Sequence, residues 1–114
     1  MIRRTGTATL LFGLVATAVA AQTPAQIEQG QKVYAAQKCS VCHSIGGTGN
    51  KKGPLDSVGA KHSADEIRQW IVSAPEMAVK TNAARKPAMK AYPNIAKDDL
   101  DALVAYLQTL KAKS

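Results

Sequence analysis

Two thiols and an imidazole stand together at Cys39-Ser40-Val41-Cys42-His43, and the chain has no other cysteine. Thiols three residues apart on a tight turn reach two neighbouring vinyl groups of a porphyrin, and each adds to one of them. The next side chain then points its imidazole at the iron, so Cys-x-x-Cys-His reads as the attachment site of one covalently bound haem c. The same pair could close a disulfide or cycle as a dithiol, and an exported protein supports either. Neither accounts for the adjacent His43. A zinc site has two thiols and one imidazole here, with only His62 left to complete it.

Haem iron takes a sixth group or stays open to ligands. Met89, within Lys86-Pro87-Ala88-Met89-Lys90-Ala91-Tyr92-Pro93, lies in a stretch without helical period that could lay a thioether across the far haem face. Met77 and His62 are its rivals, and an isolated methionine is ordinarily a filler of core gaps. Methionine ligation would stabilise ferrous iron and raise the potential. His62 immediately precedes a helix cap, where a solvated imidazole is expected.

The rest of the chain has to position these groups. At 114 residues the length suggests one domain, after a leader is subtracted. Arg3 and Arg4 precede the uncharged, mostly apolar stretch from Ala8 to Ala21, and small residues at Ala18 and Ala20, or Val19 and Ala21, suit signal peptidase. Residues 1–21 are therefore expected to be a signal peptide and residues 22–114 the domain. An uncleaved anchor is the competing reading, against which Gln22, Thr23 and Pro24 interrupt the apolar run. Losing the two arginines lowers the formal charge of +7 by two and leaves the domain basic. So short a domain ordinarily needs a staple. Phe12 leaves with the leader, and only Tyr34, Trp70, Tyr92 and Tyr106 remain as aromatic core material. A large apolar component is missing from the sequence.

Thr23 and Pro24 read as N-cap and first helical residue of a helix running to about Lys38. It sets Ile27, Gly30, Gln31 and Tyr34 on one face. Gly30 inside it costs about 1 kcal/mol against Ala, which points to close approach by another element. From Ile45 to Lys61 the glycines and polar residues read as loop. Ser63 and Glu66 form a capping box before Ile67, Trp70 and Ile71, in a helix ending near Pro75. Glu76 to Tyr92 reads as mostly irregular. The final helix, from about Lys97 to Lys111, carries Leu100, Leu103, Val104, Leu107 and Leu110 on one stripe. With no sustained period-two alternation and no internal repeat, the fold class is all-α.

Gly30 and Tyr34, Cys39 to His43, Gly53-Pro54-Leu55, Trp70-Ile71 before Pro75, Lys86 to Met89, and Leu103-Val104-Ala105-Tyr106-Leu107 together resemble the class I monohaem c-type cytochromes. The resemblance covers the whole of residues 22–114. It implies a cytochrome c fold of three to five helices wrapped around one haem, with the first and last helices crossing at Gly30 and Tyr34 and Tyr106 packing beside the contact. It implies that the Pro54 carbonyl accepts a hydrogen bond from the free nitrogen of His43. It also implies that Trp70 and Tyr92 lie near the haem on the methionine side. Two departures stand out: Ala96 replaces the usual polar cap of the last helix, and the loop after His43 is short, exposing one haem edge.

On this reading the chain is a small exported carrier, periplasmic, that passes single electrons without substrate chemistry. Lys38, Lys51, Lys52, Lys80, Arg85, Lys86 and Lys90 flank the haem-binding segments and would steer redox-partner proteins with acidic docking surfaces. An ordinary solvated basic surface is the plain alternative. Nucleic acid is not an expected target, because charge without a binding motif is all the chain offers. Two other functions remain: a cytochrome subunit fixed in a periplasmic oxidoreductase complex, and a haem-based sensor or peroxidase with an open sixth site.

Overall fold

A computed structural model describes Gly13 and residues 22–112; the leader expected at 1–21 lies, Gly13 apart, outside the described residues. Helix α1 runs Pro24–Ala36, with Thr23 in extended backbone accepting from the Gln26 N–H, as its cap residues require. It ends two residues earlier than expected. Lys38 then turns left-handed at φ 56° and delivers the chain into a 3-10 turn, Cys39–Val41.

The segment expected to be loop contains more order than its composition suggests. Strands β1 (Ser44–Ile45) and β2 (Thr48–Gly49) pair antiparallel around the two-residue turn Gly46-Gly47. Both glycines have positive φ, the conformation that two-residue hairpin turns demand. A short helix, α2 (Val58–Lys61), follows. Two-residue strands are too brief to show a sequence period, and they leave the all-α class intact.

Helix α3 (Ala64–Val72) begins with the full reciprocal capping box between Ser63 and Glu66. Pro75 does not simply end the order there. It sits in the first turn of a further helix, α4 (Ala74–Thr81), so the reading of Glu76 onward as irregular is corrected as far as Thr81. Proline lacks only an N–H that a helix start leaves unpaired in any case. Asn82, left-handed at φ 55°, closes α4, and residues 83–95 form no regular element. Helix α5 spans Lys97–Gln108, and Ala96 supplies no side-chain cap.

Helices α1 and α5 form the frame of the domain. At Gly30 a Cβ would run into the Ala102 carbonyl and come within 2.6 Å of the Tyr106 Cβ, so glycine alone permits this contact. Beside it the Tyr34 and Tyr106 rings meet edge to face at 6.1 Å, a favoured aromatic geometry. Val33 of α1, Ile67 and Ile71 of α3, and Leu100, Leu103, Val104 and Leu107 of α5 make the core cluster. Each such side chain contributes about 1.5–3 kcal/mol when buried. Arg68 ties α3 to α5 through Asp101 at 2.7 Å. Among the described residues, no helix is long and apolar enough to cross a membrane.

Candidate haem-binding site

The polar frame of the site is backbone. His43 N–H donates to the Cys39 carbonyl at 2.9 Å, closing the turn that presents both cysteines, and Asn50 N–H reaches the carbonyls of Ser40 and His43. The Asn50 side chain donates to the Val41 carbonyl at 3.1 Å and accepts from Lys52 N–H at 3.0 Å. Asn50 was not among the residues expected at the site; its one signal in the sequence is an asparagine closing a glycine-rich stretch, where an Asx turn to the residue two positions on is common.

His43 Nδ1 lies 3.0 Å from the Gly53 carbonyl. The expected acceptor, the Pro54 carbonyl, is thereby corrected by one residue. Ser44 N–H donates to Gly53 at 3.1 Å and Leu55 N–H donates back to Ser44 at 2.8 Å, a parallel bridge around Pro54. In extended backbone successive carbonyls face opposite ways, so the bridge turns Gly53, not Pro54, toward His43. The hydrogen bond makes Nδ1 the protonated nitrogen and leaves Nε2 free as a ligand. Burial holds the imidazole below its ordinary pKa; the Gly53 bond opposes this and the nearby Arg85 cation reinforces it. Neutral imidazole is the form that ligates iron.

These groups open onto a cavity of about 660 Å³, within the range typical of cofactor sites. Cys39, Cys42 and His43 line it from the attachment turn, Met89 and Tyr92 from the segment after α4, Trp70, Ile67 and Ile71 from α3, and Leu103 and Leu107 from α5. Met89 thus shares the cavity with His43. Met77 is not among its lining residues and is buried at 6% exposure. His62 lines the cavity as well, with Nδ1 3.2 Å from the Glu66 carboxylate, so its imidazole is not simply solvated. Pro54 stands outside the lining.

The cavity fits a haem on grounds of its own. It is the large apolar void that the shortage of aromatic residues implies. The Tyr34 hydroxyl at its wall is buried without a hydrogen-bond partner among the described residues, a state proteins rarely leave unexplained. The redox-dithiol alternative fares worse. Burial, with Cys42 nearby, pushes the Cys39 thiol up to about 11, whereas reactive dithiols have a lowered thiol pKa. Among the described residues, no three His, Cys, Asp or Glu side chains are grouped to hold a metal ion by themselves.

A helical shell around an apolar cavity, with Cys-x-x-Cys-His on its wall, defines a c-type haem protein. Residues 27–111 match the family model for cytochrome c, and the chain belongs to the cytochrome c family. Proteins of this family carry covalently attached haem c and generally serve as electron carriers. Cys39 and Cys42 fit the attachment site. Among curated proteins, cytochrome c oxidase subunit 2 of Alkalihalophilus pseudofirmus is 32% identical over 91 residues, covering 73% of this chain and 25% of that protein. The chain therefore spans about a quarter of the relative's length. No solved structure matches the chain significantly.

Proposed function

We propose that this protein is an exported, periplasmic single-electron carrier whose iron is closed by His43 and Met89. The observation that carries the reading is the shared cavity: His43 and Met89 line it from separate segments, while Met77 is packed elsewhere. When bound, haem supplies an iron that alternates between ferrous and ferric states. The chain's own residues do the rest. Cys39 and Cys42 fix the group covalently, and the Gly53 carbonyl orients His43 and strengthens it as a donor. Ile67, Ile71, Leu103 and Leu107 keep water from the site, which lowers the reorganisation that accompanies a change of charge. Met89 would hold the iron from the other segment and exclude small ligands.

Lys38, Arg85 and Lys90 line the cavity, Lys51, Lys52, Lys80 and Lys86 are exposed, and these cations would steer acidic redox partners. Soluble or peripherally membrane-associated shuttling fits this reading. The oxidase subunit relative favours a second one, in which the same domain is fixed in a respiratory complex and receives electrons there. Copurification with a constant partner would distinguish the two. Absorption spectra of the purified oxidised and reduced protein, with and without carbon monoxide, test the closed site. A far-red sulfur-to-iron band and no carbon monoxide adduct are expected; a ready adduct would favour the sensor or peroxidase.

A further inference from the structure

Arg85 has a position that docking charge does not explain. Its backbone belongs to the segment carrying Met89, four residues upstream, yet its guanidinium reaches the attachment turn. Nη2 donates to the Cys42 carbonyl at 2.6 Å. Nη1 packs over Gly53 so closely that a Cβ there would collide with it. Gly53 is the residue whose carbonyl accepts from both His43 Nδ1 and Ser44 N–H. One cation therefore covers two backbone sites beside the proximal histidine.

The Met89 segment has little else to hold it. Ala83 N–H bonds to the Ala78 carbonyl and Tyr92 N–H to the Ile71 carbonyl, and between them no backbone hydrogen bond is made among the described residues. A charge-assisted bond is about twice as strong as a neutral one. A planar guanidinium, unlike the point charge of lysine, engages two sites at fixed geometry.

We propose that Arg85 is a positioning residue, clamping the Met89 segment onto the Cys42 and Gly53 backbone and so shielding the His43–Gly53 hydrogen bond from water. Its effect on Met89 rests on the ligation proposed above; its effect on His43 does not.

The test compares holoprotein of wild type, Arg85→Gln, Arg85→Lys and Lys32→Gln. Lys32 is an exposed cation of α1, 3.7 Å from Glu28 and outside the cavity lining. Two quantities are read: solvent exchange of the His43 Nδ1 proton by NMR in the ferrous protein, and the pH at which the ferric protein loses its far-red band. Both Arg85 variants should speed exchange about tenfold or more and lose the band at lower pH, while Lys32→Gln changes neither. Exchange at the wild-type rate in Arg85→Gln would overturn the proposal. So would wild-type behaviour of Arg85→Lys, because charge alone would then suffice. If Arg85→Gln yields no holoprotein, the exchange rate in Arg85→Lys decides. A wild type lacking the far-red band would refute Met89 ligation, and ring-proton exchange would still judge Arg85.

Discussion

The segment Cys39–Gly53 and the segment 83–92 both line the haem cavity, but they are built differently. In the first, the turn, the hairpin, the Asn50 bridges and the Gly53–Ser44–Leu55 exchange give most backbone groups a nearby partner. In the second, residues 84–91 make no backbone hydrogen bond among themselves, and residues 83–88 are exposed. The attachment side is preorganised by the chain. The methionine side is held at its ends, by Arg85, and by whatever its side chains contact inside the cavity. Damage to the first should therefore abolish the protein, and damage to the second should change its ligation while leaving it folded.

The largest effect is expected from Cys39→Ala with Cys42→Ala. Haem fills a large share of the core, and a domain this small has few other means of stability. Little folded holoprotein should remain, judged by intact mass, acid-acetone extraction and far-ultraviolet circular dichroism. Recovery of a stable, helical, haem-free domain would show that the cavity is not what holds the fold.

Met89→Ala should leave the attachment side intact and change the iron alone. The far-red band should vanish, carbon monoxide should bind, and the potential should fall by on the order of 0.2 V, well within the range that axial ligands set. Met77→Ala sharpens the contrast: it should cost about 2–5 kcal/mol in urea unfolding, as buried truncations do, and preserve the band. Loss of the band in Met77→Ala with retention in Met89→Ala would reassign the ligand.

The frame was more legible in the sequence than the hydrogen bonds that hold His43 and its turn. Gly30, Tyr34 and Tyr106 announced the α1–α5 contact because only close packing explains a mid-helix glycine. Ser63 and Glu66 announced α3 because both halves of a capping box are written locally. Helix α4 is hard to see in the sequence because Pro75 suits a helix start as well as a stop. The hairpin escaped because two-residue strands have no period, although Gly46-Gly47 supplied the turn. The His43 acceptor was misplaced by one residue, since the direction of a carbonyl depends on a bridge between Ser44 and Gly53 that no local pattern encodes.

Gly30→Ala tests the frame itself, away from both cavity segments. The added methyl would press on the Ala102 carbonyl, so a loss of about 1–3 kcal/mol is expected, with spectrum and potential unchanged. Smaller still is the pH dependence carried by Asp101 and Glu66. Arg68 first, and then Lys97, hold the Asp101 carboxyl below its ordinary range, and His62 with the Ser63 cap does so for Glu66. A carboxylate with depressed pKa in the folded state stabilises above its unfolded pKa and loses that contribution as pH falls through the folded one. Urea midpoints should fall slightly further between pH 6 and 3 in wild type than in Arg68→Gln. Parallel acid profiles would show that the α3–α5 ion pair contributes nothing.

Whether a covalent haem in this cavity has its iron closed by Met89 is decided by exposing dithionite-reduced wild type and Met89→Ala to carbon monoxide at neutral pH and recording the visible spectrum. No change is expected in wild type and a prompt adduct in Met89→Ala, with the colour in both remaining on the polypeptide after acid acetone. Prompt adduct formation in wild type, or haem that extracts from the chain, would contradict this expectation.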